Sequence, residues 1–285
     1  MSYGLGRRDG AQHADDPDAI LARAVELGID WIDTAPDYGD AEDRIGRFLR
    51  RFRLTERIRI TSKLPSLRGV SPEHIGQRVD AEIQGSLRRL GVERVAVYLI
   101  HDHSDVERHG AALISALAHQ VGLGRAQAVG VSVYSPADLA AIEAYPELTV
   151  VQHPYNLFDR RLVTSGAHRR LRSASRRLHL RSVFLQGLLL MRPDELPPFL
   201  SRASTPLESL RKWLDDRGLT PLQAALACAL GPASERIVVG VDSVRQLDEI
   251  AAAAKLKLSG ESIEGLKQFA LPDNSPLIDP RLWKR

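Results

Sequence analysis

The chain carries a single cysteine among its 285 residues. Cys228 sits in the run Ala224-Ala-Leu-Ala-Cys-Ala-Leu, so an intrachain disulfide and a cysteine-based metal centre are both excluded. It reads as a small core residue on a helix. Long apolar runs are also scarce. The longest, such as Val183–Met191, are too short to span a bilayer, and no membrane partner is expected. The amino terminus lacks a basic segment followed by an apolar one, so no secretory leader is expected and a cytoplasmic location is. Net charge is only +3, which gives no case for nucleic acid without a localised patch. No Gly/Ser-rich linker or low-complexity stretch divides the chain, and no GxGxxG fingerprint signals a Rossmann domain.

What the chain does contain is an alternation of short β-rich runs and longer helical patterns. Strands are expected near residues 29–33, 58–62, 95–100, 126–131, 149–152, 179–185 and 236–240. Several are nearly continuous apolar runs, as parallel strands covered on both faces are, and the segments between them are long enough for crossover helices. Asp16-Pro17, Ser71-Pro72, Ser135-Pro136, Thr205-Pro206 and Thr220-Pro221 each pair a capping side chain with a proline suited to the first helical position. Gly28, Gly91 and Gly231 fall where helices should stop. The pattern predicts an α/β protein, a (β/α)8 TIM-type barrel. Such a barrel commonly needs about 250 residues, and a single domain over residues 1–285 is expected.

The chemistry concentrates at strand ends. Asp33 ends one apolar strand and Tyr38 follows in a Pro/Gly-rich turn. Lys63 ends Ile58-Arg-Ile-Thr-Ser-Lys, and His101 ends Val95-Ala-Val-Tyr-Leu-Ile-His. Each residue alone has an ordinary reading: a strand cap, a packed aromatic, a solvated lysine, a hydrogen-bonding histidine. Together, at the carboxyl ends of successive parallel strands, they converge on one face of a barrel. A free phenol, with a pKa near 10, is a poor acid at neutral pH, and an adjacent lysine cation favours its ionised form. The reading is a proton-transfer site with Tyr38 as general acid or base, assisted by Lys63, Asp33 and His101. His101-Asp102-His103 also admits a metal reading, because alternation puts both imidazoles on one strand face. That reading needs further ligands, for which His153, His179 and Asp242 are the candidates. Arginines cluster between Arg160 and Arg181. The plain reading is a solvated basic face, and the sharper one is a site for an anion near one end of the stretch.

The order Asp, Tyr, Lys, His, carried by the motif Asp33-Thr-Ala-Pro-Asp-Tyr38-Gly with Glu42 and Ile45-Gly46 behind it, resembles the aldo-keto reductases. The resemblance continues through Gly130-Val-Ser, Val151-Gln152-His-Pro-Tyr-Asn, Arg181-Ser-Val-Phe-Leu-Gln-Gly and Val239-Gly-Val-Asp-Ser-Val-Arg-Gln246. It implies reduction of an aldehyde or ketone, or oxidation of the alcohol, with a nicotinamide cofactor supplying the hydride. NADP(H) is the expected cofactor, with NAD as the other candidate. The resemblance further implies Ser132 and Gln152 at the nicotinamide carboxamide, Arg181 on the nicotinamide face, and Ser182, Gln186 and Gly187 near the pyrophosphate. Gly240, Ser243 and Gln246 would lie near the adenosine, where a helix start offers backbone amides to a phosphate. Val133 and Ile250 stand where the family usually has asparagine. Only seven strands can be counted. Family members usually begin with a hairpin and a first strand, and a regular strand before Pro17 is not expected here. The exposed edges would then be covered by the tail around Pro276–Trp283, a partner chain or the amino terminus. Expected partners are a small carbonyl substrate and, beyond a monomer, further copies of the chain. Two rival functions stand beside this one: a hydride-free lyase or isomerase on the same fold, and a non-catalytic cofactor-binding regulatory protein.

Overall fold

The computed structural model describes residues 15–283. The chain packs as two compact units, one comprising Asp16–His153 with Arg169–Leu178, the other Pro154–His168 with His179 onward, together with Asp15.

The first unit is a parallel sheet in chain order. Strands β1 (Trp31–Asp33), β2 (Arg59–Leu64), β3 (Val97–Ile100), β4 (Val129–Ser132) and β5 (Leu148–Pro154) each pair in parallel with the next. The apolar runs of β3 and β4 are buried throughout, as strands covered on both faces require. Val97, Leu99, Ala128 and Val150 form a small cluster, with Trp31 packed against it. Helices fill the crossovers: α1 (Pro17–Glu26), α2 (Ala41–Arg51), α3 (Ile75–Leu90) and α4 (Ser104–Gly122). The start of α1 follows the expected rule, the Asp16 side chain accepting from the Asp18 amide with Pro17 in the first turn. Gly91 ends α3 at φ 66, the left-handed conformation that glycine adopts without a Cβ penalty. At Gly130 on β4 a Cβ would lie 2.0 Å from the Val150 carbonyl oxygen, so β4 and β5 approach closely only because that position is glycine.

In the second unit the last residues of β6 (Arg177–Arg181) pair in parallel with β7 (Arg236–Ile237), His179 with Arg236 and Leu180 with Ile237. Its core is rich in leucine and alanine from α5 (Ser204–Asp215) and α6 (Pro221–Leu230). Thr220 opens α6 with a reciprocal capping box to Gln223. The tail is anchored in the same cluster, with Leu277 and Ile278 buried, Trp283 packed against the cluster, and its indole N–H donating to the Pro276 carbonyl at 3.2 Å.

Several boundaries differ from the sequence expectation. β6 stops at Arg181 rather than continuing to residue 185, because Ser182, Leu185 and Gln186 take positive φ and turn the chain out of the strand. β7 is two residues long rather than five. Helix α5 begins at Ser204, so Thr205 is not its cap and Pro206 sits two positions deeper than expected. Ser71-Pro72 opens only a three-residue 3-10 turn, the Ser71 hydroxyl meeting His74 Nδ1 at 2.8 Å rather than a helix amide. Gly231 does follow the end of α6, but in a right-handed conformation. The expectation of no regular strand before Pro17 falls almost wholly on residues 1–14, outside the described residues. Among the described residues no helix is long and apolar enough to cross a membrane.

Candidate active site

The first unit brings all four tetrad residues together. β1 and β2 are paired in register, Asp33 opposite Thr61, so the two strand ends deliver Asp33 and Lys63 to one place. Lys63 is 1% exposed and ion-paired to Asp33 Oδ1, whose side chain is 12% exposed. The same ammonium donates to the Thr34 carbonyl at 2.9 Å. A buried cation thus meets a carboxylate and a backbone dipole, which together compensate its desolvation. The β1–α2 turn places the Tyr38 ring over this pair, with Lys63 Nζ 5.0 Å from its centroid. His101, at the end of β3, meets the Tyr38 ring edge-on with centroids 6.0 Å apart.

Two further contacts tighten the group. Gln152 on β5 donates from Nε2 to Asp33 Oδ2 at 2.7 Å, so both oxygens of Asp33 are engaged and Lys63 is held from one side. Gln152 Oε1 has no hydrogen-bond partner among the described residues and is available to a ligand amide. His101 Nδ1 lies 2.9 Å from Asp37 Oδ2. A carboxylate at Nδ1 fixes the ring's orientation. Sequence reasoning gave Asp37 no role. The available signal was its place beside Tyr38 in one tight turn, which carries both side chains to the same strand ends. Glu42, buried on α2, accepts from Ser62 Oγ at 2.6 Å and from Arg89 Nε at 2.7 Å, tying α2 to β2 and α3 behind the tetrad.

The histidine pair does not act as a unit. His101 pairs with Asp37, whereas His103 Nε2 stands 3.6 Å from Asp138 Oδ2. Among the described residues no group of three or more His, Cys, Asp or Glu side chains is placed to hold a metal ion.

The residues expected at a cofactor fall in both units. In the first, Ser132 is buried at the end of β4 and Gln152 on β5, and Val133 is fully buried where the family often has asparagine. In the second, Arg181 Nη1 donates to Ser182 Oγ at 3.2 Å. Ser182, Gln186 and Gly187 take φ of 59, 57 and 88, and the Gly187 amide donates to the Phe184 carbonyl at 2.9 Å within the turn. A Cβ at Gly187 or Gly240 would meet nothing within 4 Å, so the backbone there lies open to a ligand. The Arg181 guanidinium and the open backbone at Gly187 fit a dinucleotide phosphate. The start of α7 (Val244–Ala253) fits one less fully. Ser243 caps it by accepting from the Gln246 amide, and Gln246 Oε1 accepts from the Asp242 amide. The Val244 amide, which a phosphate would use, already donates to the Asp15 carboxylate at 2.7 Å.

The aldo/keto reductase family model matches residues 1–270. An L-glyceraldehyde 3-phosphate reductase of Escherichia coli O157:H7 is 28% identical, the alignment covering 94% of this chain and 88% of that protein. Pyridoxine 4-dehydrogenase of Escherichia coli K12 is 26% identical over 87% of this chain and 84% of its own. Among solved structures, the holo form of an aldo-keto reductase from Bacillus halodurans superposes with a TM-score of 0.72 at 21% identity, covering 90% of this chain and 88% of that one. An aldo/keto reductase from Klebsiella pneumoniae in complex with NADP and acetate gives 0.68 at 23% identity, covering 90% and 86%. These likenesses show the (β/α)8 barrel fold class, within which seven parallel strands lie among the described residues. With the family model matched over nearly its whole length, the chain belongs to the aldo/keto reductase family of oxidoreductases.

Proposed function

We propose that the protein is an NADPH-dependent carbonyl reductase, reducing an aldehyde or ketone and oxidising the alcohol in reverse, with Tyr38 as the general acid. The observation that carries this reading is the buried Lys63–Asp33 pair beneath the Tyr38 ring, with His101 at the ring edge. When bound, the dihydronicotinamide would supply the hydride, a reagent no side chain provides. Relatives solved with NADP or NADPH support the choice of cofactor.

The chain's own residues supply the proton and the electrostatics. As the carbonyl oxygen gains negative charge, Tyr38 gives up its proton, and the Lys63 ammonium stabilises the charge left on the phenol oxygen. Asp33 keeps Lys63 charged and in place, and Gln152 keeps Asp33 in place. His101, oriented through Nδ1 by Asp37, directs Nε2 at the carbonyl oxygen and holds the substrate. Ser132 and the free oxygen of Gln152 would contact the carboxamide, and Arg181 the nicotinamide face. Ser182, Gln186 and Gly187 would contact the pyrophosphate, and Gly240, Ser243 and Gln246 the adenosine side. A small carbonyl compound is the substrate, and a cytoplasmic location is consistent with that role.

The test has two readouts. The protein should shift or quench NADPH fluorescence, and it should oxidise NADPH with at least one member of a panel of aldehydes and ketones. NADPH binding with no turnover on any carbonyl would favour a non-catalytic binding protein, and no NADPH binding would favour hydride-free proton-transfer chemistry.

A further inference from the structure

The arginine-rich stretch begins with a buried cation that has no anion. Arg160 is 7% exposed. Its Nη2 donates to the Cys228 thiol at 3.1 Å, and its guanidinium stands 5.9 Å from the Tyr155 ring centroid. Neither neighbour is a counter-charge, since burial raises the pKa of both the Cys228 thiol and the Tyr155 phenol. The buried Nε has no hydrogen-bond partner, and among the described residues no carboxylate comes within ion-pair distance of the guanidinium. The next residue is treated differently. Arg161 is gripped by Asp159 through two hydrogen bonds of 2.9 Å, in the bidentate geometry that guanidinium and carboxylate favour. Of two adjacent arginines, one is neutralised and the other is not. A buried ion without a partner is unfavourable wherever it occurs, so Arg160 calls for an anion from outside.

There is space for one. Arg160 and Arg161 line a cavity of about 350 Å³ in the second unit, walled by Thr164, Ser165, Leu271 and Asp273. The Thr164 and Ser165 hydroxyls donate to carbonyls of their own turn, so the two arginines supply the cationic lining of the cavity. Asp273 is exposed at the rim and interacts electrostatically with Arg161. Its charge disfavours a large polyanion and admits a compact one that reaches Arg160. We propose that Arg160, supported by Arg161, forms a binding site for the phosphate or carboxylate end of a small molecule, separate from the cofactor residues.

Calorimetric titration of the full chain at low ionic strength tests this, with inorganic phosphate in one arm and acetate in the other. One equivalent should bind saturably, and the tighter of the two anions assigns the ligand's end group. Arg160→Met keeps an unbranched apolar stem and removes the charge, and should weaken binding about tenfold or more, the loss expected of a charge-assisted hydrogen-bonded pair. Arg160→Lys keeps the charge without the planar fork, and should lose less. Circular dichroism establishes that each variant is folded, and if Arg160→Met is not, the wild type and Arg160→Lys decide. Absence of saturable binding of either anion to wild type overturns the proposal, as does wild-type affinity in the folded Arg160→Met variant. Repeating the titration with saturating NADPH should leave the anion bound. Its loss would place the anion at the cofactor phosphates and overturn the assignment of a separate site.

Discussion

Replacing Lys63 by methionine tests the physical basis of the tetrad without reference to turnover. Lys63 is 1% exposed and is held by Asp33 and the Thr34 carbonyl. Methionine keeps an unbranched side chain one atom shorter and removes the charge, leaving the Asp33 carboxylate with one remaining donor, the Gln152 amide at 2.7 Å. Stranding one member of a buried ion pair costs about 3–5 kcal/mol. Gln152 and the residual exposure of Asp33 place the expected loss at the lower end, about 3 kcal/mol. A second change, Asp33→Asn in the Lys63→Met background, removes the stranded charge and should recover at least half of the loss. The assay is urea unfolding followed by far-UV circular dichroism, with slopes compared so that a change in midpoint reports stability. A Lys63→Met loss below about 1 kcal/mol, or no recovery in the double variant, would refute the reasoning that these two charges depend on each other.

Three further outcomes follow from other contacts. Gly130→Ala drives a Cβ against the Val150 carbonyl oxygen and should cost about 1–3 kcal/mol through overpacking, read as a lowered thermal midpoint; an unchanged midpoint would contradict the close β4–β5 approach. Asp37→Ala removes the partner of His101 Nδ1 and should lower kcat/KM about tenfold, the worth of one hydrogen bond, while NADPH affinity stays unchanged; an unaltered pH–rate profile would show that Asp37 does not orient His101. Burial raises the pKa of Asp105, which accepts from the Leu67 amide at 2.8 Å. The folded protein therefore holds this proton to higher pH than the unfolded chain, whose carboxyl titrates near 3.9. Stability from this group is present below that value and is lost as pH rises through the folded pKa. Urea midpoints across that window should fall less in Asp105→Asn than in wild type, and parallel profiles would argue against the assignment.

The parts of the fold legible in the sequence are those set by local rules. The strands of the first unit follow from apolar runs, and Asp16, Thr220 and Gly91 mark helix ends by the side chains and conformations they were expected to use. Boundaries failed where tertiary packing overrode a local signal. Thr205-Pro206 reads as a helix start, yet the preceding 3-10 segment runs straight into α5 and moves the start to Ser204. Val183–Leu185 is apolar enough for a strand, but the turn at Ser182 ends β6. At the site, the four expected residues were legible because three stand at or beside strand ends and Tyr38 lies in the turn after the first. The Asp37–His101 and Gln152–Asp33 contacts join residues 64 and 119 positions apart, and no spacing rule connects them. In sequence the Arg160–Arg181 stretch reads as a solvated basic face or as an anion site near one end; the fold shows which end is buried, with Arg160 beside Cys228.

The central claim is that Tyr38 supplies the proton while hydride passes to carbon. The most direct measurement uses NADPH deuterated at C4 and a carbonyl substrate found by the panel. Wild type should deliver deuterium to the carbinol carbon. Tyr38→Phe should transfer it about 10²–10⁴-fold more slowly, the usual loss on removing a general acid, while binding NADPH with unchanged affinity. Deuterium transfer at the wild-type rate in Tyr38→Phe would contradict the assignment of Tyr38, and a product formed by wild type without deuterium would contradict hydride transfer itself.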